Sequence, residues 1–150
     1  METREPLGKG ELSNETDAKP FRMLAIYDSE EASREATHTS NLVLRELGDG
    51  IEADRSTWNL KSLDATSLRA LAAEEAARAD VIVLALAGRE PSATLKEWTA
   101  QWQSNRELSG GLLALIPSDD SETGGDLAHF LYETAVTAQM DFLCQKKRPL

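Results

Sequence analysis

Val81-Ile-Val-Leu-Ala-Leu-Ala87 decides the fold: seven apolar residues in a row, three of them β-branched at the start. The run is far shorter than the roughly 20 apolar residues needed to cross a membrane. It has no polar alternation, so as a strand it must be covered on both faces, which places it at the centre of a parallel sheet. Parallel strands cannot be joined by tight hairpins. The chain on either side must therefore supply crossover helices and further strands.

Moving toward the N-terminus, Leu68, Leu71, Ala72 and Ala76 recur at helical spacing behind Asp64, an N-cap residue type. Before them, Ile51 to Trp58 is polar and weakly alternating, as suits the edge of a sheet. Gly48-Asp49-Gly50 closes an earlier helix. That helix starts at Asp28 or Ser29, has Glu31 in its first turn, and carries Ala32, Ala36, Val43 and Leu47 on one face beside Ser40 and Leu44. Phe21 to Tyr27 is a second buried strand. Residues 1–19 mix Glu, Lys, Gly, Ser and Asn without apolar periodicity, which predicts a disordered leader closed by Pro20.

Toward the C-terminus, Gly88 to Ser92 is a loop, and Leu95, Trp98 and Trp102 mark the inner side of a helix. Gly110-Gly111 precedes the strand Leu112 to Ile116. Pro117 to Gly125 is an acidic loop, Leu127, Leu131 and Ala135 align on a helix, and Met140 to Cys144 forms a short fifth strand. Five strands linked by four helices predict an α/β domain over 20–150: a doubly wound five-stranded parallel sheet in three α/β/α layers. The edge-like second strand gives the flavodoxin-like, Rossmann-like order 2-1-3-4-5.

Composition narrows the partners. The 150-residue chain has 26 acidic and 16 basic side chains, a formal net charge of −10. Nucleic acid and anionic membrane surfaces demand the opposite balance. Lys146-Lys147-Arg148 is a compact basic cluster and reads as a solvated chain end. Met1 to Glu5 has no apolar h-region, and the single cysteine, Cys144, cannot form an internal disulfide. The expected compartment is the cytoplasm. Cys144 reads as a small buried hydrophobe.

In such a sheet, ligands sit outside the carboxyl ends of the strands, at the switch point between strands 1 and 3. The loops there carry Asp28, Glu30, Glu31, Glu90, Asp119, Asp120 and Glu122 against a single Arg89. Phosphate wants free backbone amides and hydroxyls without carboxylates among them, whereas Asp28-Ser-Glu-Glu-Ala-Ser33 interleaves both. Ser29, Ser33, Gly88, Arg89, Glu90 and Ser118 are the positions a cofactor would use. Asp28, Trp58, Asp119, Asp120 and Glu122 are the candidates for contact with a protein partner, Trp58 as the aromatic expected at the surface. Asp119-Asp120-Ser-Glu122 lacks the ligand spacing of a calcium loop, and His38 and His129 have no metal-ligating neighbour in sequence. No Gly-x-Ser-x-Gly or Walker-type motif occurs.

Ala79-Asp80 entering strand 3, the Gly88-Arg89-Glu90-Pro91 loop, and Leu95, Lys96 and Trp98 on the next helix resemble the middle of NADPH-dependent FMN reductases over about forty residues. That family belongs to the flavodoxin-like superfamily, so the resemblance implies that fold, FMN as a possible cofactor, and a loop at Gly88 to Pro91 packing on the flavin. Receiver domains of response regulators share the strand order. Asp28, Ser118 and Lys146 fall at their site positions, but Leu86-Ala87-Gly88 offers no phosphoacceptor aspartate. The readings that follow are a non-catalytic protein-interaction or signalling module of bacterial type with a basic partner, and an FMN- or quinone-dependent NAD(P)H oxidoreductase with an atypical pocket.

Overall fold

A computed structural model describes residues 20–48, 50–88, 90–106, 109–117 and 126–147, with the backbone alone at 117, 146 and 147. The strands are β1 (Phe21–Tyr27), β2 (Ala53–Asn59), β3 (Val81–Ala85), β4 (Gly111–Pro117) and β5 (Asp141–Lys147). They form one sheet in the order β2-β1-β3-β4-β5, parallel throughout. The expected flavodoxin-like order is the observed one. The leader expected over residues 1–19 lies outside the described residues.

The helices are α1 (Glu30–Leu47), α2 (Thr66–Arg78), α3 (Ala93–Trp102) and α4 (Asp126–Ala138). Right-handed crossovers decide which face each helix covers. The step from β1 to β2 runs one way across the sheet, and every later step runs the other way. Accordingly, among the described residues, α1 packs alone on one face, where Ala32 and Ala36 meet Ala25, Val83, Ala85 and Leu115. Helices α2, α3 and α4 share the opposite face over Leu24, Ile26, Ile82, Leu84, Leu112 and Ala114. Val83 and Ile82 are both fully buried, one on each face, so the continuous apolar run is covered twice.

Local chemistry fixes the helix ends. Ser29 caps α1, its hydroxyl oxygen accepting from the Ala32 amide at 3.1 Å, and Ser92 does the same for α3 with Leu95. Gly48 ends α1 at φ 96°, a conformation that costs other L-residues strain. On α3, Trp98 and Trp102 are fully buried with ring centroids 5.3 Å apart, the core placement expected of them.

Several local expectations are corrected. A short 3-10 helix (Leu60–Asp64) follows β2 and buries Leu63 completely. Asp64 does not cap α2, whose N-cap is Ala65. It accepts instead from the Thr94 hydroxyl and so ties this turn to the start of α3. Helix α2 faces the sheet with Ala72, Ala73 and Ala76, leaving Leu71 exposed, and Leu47 likewise sits at the surface. Strand β3 stops at Ala85, two residues short of the apolar run. Leu86 stays buried and donates its amide to the Leu115 carbonyl at 3.0 Å. Cys144 is half-buried against the core rather than closing its strand, since β5 continues to Lys147.

The opposite rim, at the amino ends of the strands, is locked by Asp80. Its carboxylate accepts the Arg22 amide at 2.9 Å, its own amide donates to the Arg22 carbonyl at 2.8 Å, and its carbonyl accepts from Gly111 at 3.0 Å. Arg106 closes the same corner by donating to the Ala76 carbonyl at 2.7 Å. Burial pulls the Arg106 guanidinium below its ordinary value, with the nearby Asp80 charge acting in the opposite sense.

Candidate functional site at the carboxyl ends of the strands

Asp28 is the first residue beyond β1, and Ala87 lies two residues beyond β3. Because β1 and β3 are adjacent and in register, with Tyr27 opposite Ala85, the two loops face each other across the switch point. Both carboxylate oxygens of Asp28 accept from the Ala87 amide, at 2.9 and 3.0 Å. The amide that an incoming anion would use is thus already bonded to an anion of the protein itself.

The neighbouring donors are engaged in the same way. The N-terminal amide Ala32 is bonded to the Ser29 hydroxyl oxygen, and Leu95 to that of Ser92. Ser33, half-buried in the first turn of α1, donates its backbone amide to the Ser29 carbonyl at 2.9 Å. Helix N-termini bind phosphate through free amides. With Ala87, four amides at this rim point at the protein's own oxygens. Around them stand further carboxylates: Glu30, 3.3 Å from Arg34 in an exposed pair, together with exposed Glu31, Asp64 and Glu90. Gly88 is exposed beside them.

Of the residues singled out in the sequence, the structure brings Asp28, Ser29, Ser33, Gly88 and Glu90 to this edge. Arg89, Ser118, Asp119, Asp120 and Glu122 lie outside the described residues. Trp58 is not the free surface aromatic that its position suggested. It is half-buried, packs on the core below α2, and donates its ring N–H to Glu75 at 2.9 Å. The half-exposed aromatic is Tyr132 on α4, in edge contact with Phe142 of β5 at 5.9 Å and one helical turn from exposed Val136. Outward apolar positions on a helix that also has an apolar inner stripe were the only signal for it.

His38 and His129 are exposed, the latter 3.7 Å from Glu133. Among the described residues no three metal-ligating side chains converge, and no helix is long and apolar enough to cross a membrane. Two described cavities lie away from the switch point. One, of about 340 Å³, opens between β1, β2 and the end of α2, and the other, of about 530 Å³, lies between α2 and α3. Compared with models of protein families and with curated proteins, the chain matches none of them.

Proposed function

We propose that this chain is a non-catalytic flavodoxin-like module that docks a basic protein partner on the carboxylate rim at the carboxyl ends of its strands. The observation carrying the proposal is the Asp28 carboxylate bonded to the Ala87 amide across the switch point. Flavin phosphates and other anions bind this place by taking such amides, and here a fixed negative charge holds it. The FMN reductase resemblance therefore contributes scaffold rather than chemistry, because its flavin loop is replaced by a rim of Asp28, Glu30, Glu31 and Glu90. A formal charge of −10 adds long-range attraction for a cationic surface. The lone Cys144 suits work in a reducing compartment such as the cytoplasm.

The test is a fluorescence-anisotropy titration with a labelled Lys/Arg-rich peptide. Affinity should fall as NaCl rises, because exposed charges are screened. It should also drop in the triple variant Glu30→Gln, Glu31→Gln, Glu90→Gln. The charge-matched control Glu46→Gln, Glu52→Gln, Glu133→Gln should bind like the parent. Equal loss in both triples would reduce the rim to bulk charge and overturn the proposal. A saturable FMN titration that generates a protein-bound visible band would overturn it in favour of flavin chemistry.

A further inference from the structure

The cavity at the amino ends of β1 and β2 has a composition that the rim reading does not use. In the parallel β1–β2 pair, Arg22 lies opposite Asp54, Leu24 opposite Ser56, and Ile26 opposite Trp58. Leu24 and Ile26 belong to the core under α2, so all six residues present one face toward that helix. Helix α2 covers only the Ile26–Trp58 end, where Glu75 holds the Trp58 ring N–H. The helix ends at Arg78, and beyond it the Arg22–Asp54 end of the face stays open. This is the cavity of about 340 Å³, within the roughly 300–1,000 Å³ of small-molecule sites.

Its floor is apolar, with Leu24 and Ala79 each 1% exposed. Arg22 stands over that floor, half-buried. Among the described residues its guanidinium has no ion-pair or hydrogen-bond partner. The other half-buried arginines of this face are engaged: Arg69 donates to the Leu63 carbonyl at 3.1 Å and Arg106 to the Ala76 carbonyl at 2.7 Å. The root of Arg22 is also rigid, since Asp80 bonds both its amide and its carbonyl. A planar carboxylate offers such a free guanidinium two parallel charge-assisted bonds.

We propose that this cavity binds a small zwitterion of the α-amino acid class. Arg22 takes the ligand carboxylate, with Arg78, 3.9 Å from Glu74, at the mouth. Asp54, its register partner on the neighbouring strand, takes the ammonium group. Neighbouring strands lie roughly 4.8 Å apart, so the two oppositely charged residues are rooted side by side without forming an ion pair of their own. An α-amino acid likewise carries its two charges on one carbon. Asp54 also repels a second negative charge, which disfavours phosphate and dicarboxylates.

The experiment is an NMR titration of the isotope-labelled full chain with each common α-amino acid, and with acetate, inorganic phosphate and methylamine as separate arms. Saturable amide shifts should cluster at Arg22, Asp54, Ser56 and Ala79 for one or more α-amino acids, and be weaker for the three probes that carry only one sign of charge. Arg22→Gln should weaken binding about tenfold or more. Arg34→Gln, on α1 over the opposite face and outside this cavity, should not change it. No saturable shift at tens of millimolar ligand, an unchanged affinity in Arg22→Gln, or phosphate binding as tightly as the amino acid would each overturn the proposal. None of these outcomes touches the carboxylate rim, which lies at the other end of the strands.

Discussion

Replacing Asp28 by serine removes the carboxylate that holds the Ala87 amide and should do two measurable things. The first is a modest loss of stability. A hydrogen bond to a charged group contributes about 1.5–3 kcal/mol, and both oxygens here share a single amide. Asp28 is half-buried and Ala87 exposed, so water can replace much of the bond, and a loss near 1 kcal/mol is expected. For a domain of this size that lowers the melting temperature by about 3–5 °C. Asp28→Asn keeps an acceptor and loses only the charge, so it should fall between parent and serine variant. The second effect is a gain of function. With the amide released, the switch point regains a donor and loses a fixed negative charge, and millimolar phosphate should now raise the melting temperature of Asp28→Ser while leaving the parent unmoved. Phosphate at ten times its dissociation constant stabilises by about 1.4 kcal/mol. Amide hydrogen exchange supplies the residue-level check, since Ala87 should exchange faster in Asp28→Ser. Unchanged exchange at Ala87 together with an unchanged melting temperature would show that the bond does not close the switch point. Equal stabilisation of parent and variant by phosphate would show that closure does not exclude anions.

Two further changes test the frame that positions this rim. Val83→Asp places a carboxylate at a fully buried position between β1 and β4; a loss of several kcal/mol and the end of a cooperative thermal transition are expected by calorimetry. Gly110→Ala adds a methyl group 2.6 Å from the Asp80 carbonyl oxygen, so the backbone must shift, and a loss of about 1–3 kcal/mol should appear in urea unfolding with the slope unchanged.

The architecture was legible because two signals agree on it. The unbroken apolar run of β3 demands a two-sided environment, and the polar β2 demands an edge. Trp98 and Trp102, four residues apart, could be assigned to the core for the same reason, since that spacing puts both on one helix face. The misread details share a cause in side-chain size. Leu71 looked like an inner position because it is large and apolar, yet α2 lies on the sheet through Ala72, Ala73 and Ala76. Small residues allow the helix to approach closely, and the leucine is left outside. The Leu60–Asp64 turn was invisible because one residue, Leu63, anchors it, and one apolar residue sets no period.

The rim was legible in composition but not in arrangement. Counting carboxylates near the strand ends shows that the edge is negative, and any homologous scaffold with that loop would give the same count. It cannot show that Asp28 reaches a backbone amide 59 residues away, because a backbone donor carries no residue identity for a pattern to find. Trp58 failed for a related reason: its partner, Glu75, sits on another element, and the sequence offers no spacing that couples a strand end to a helix middle. The Arg22 cavity follows the same logic in reverse. Its register with Asp54 depends on where β2 begins, and Glu52, whose carbonyl accepts the Phe21 amide at 2.8 Å, sets that start. A shift of one residue in β2 would carry Asp54 to the α1 face and leave Arg22 facing a different neighbour. The placing of Arg22 beside Asp54 is therefore a property of strand register. The choice of ligand is written in the pairing of two strands, not in any local motif.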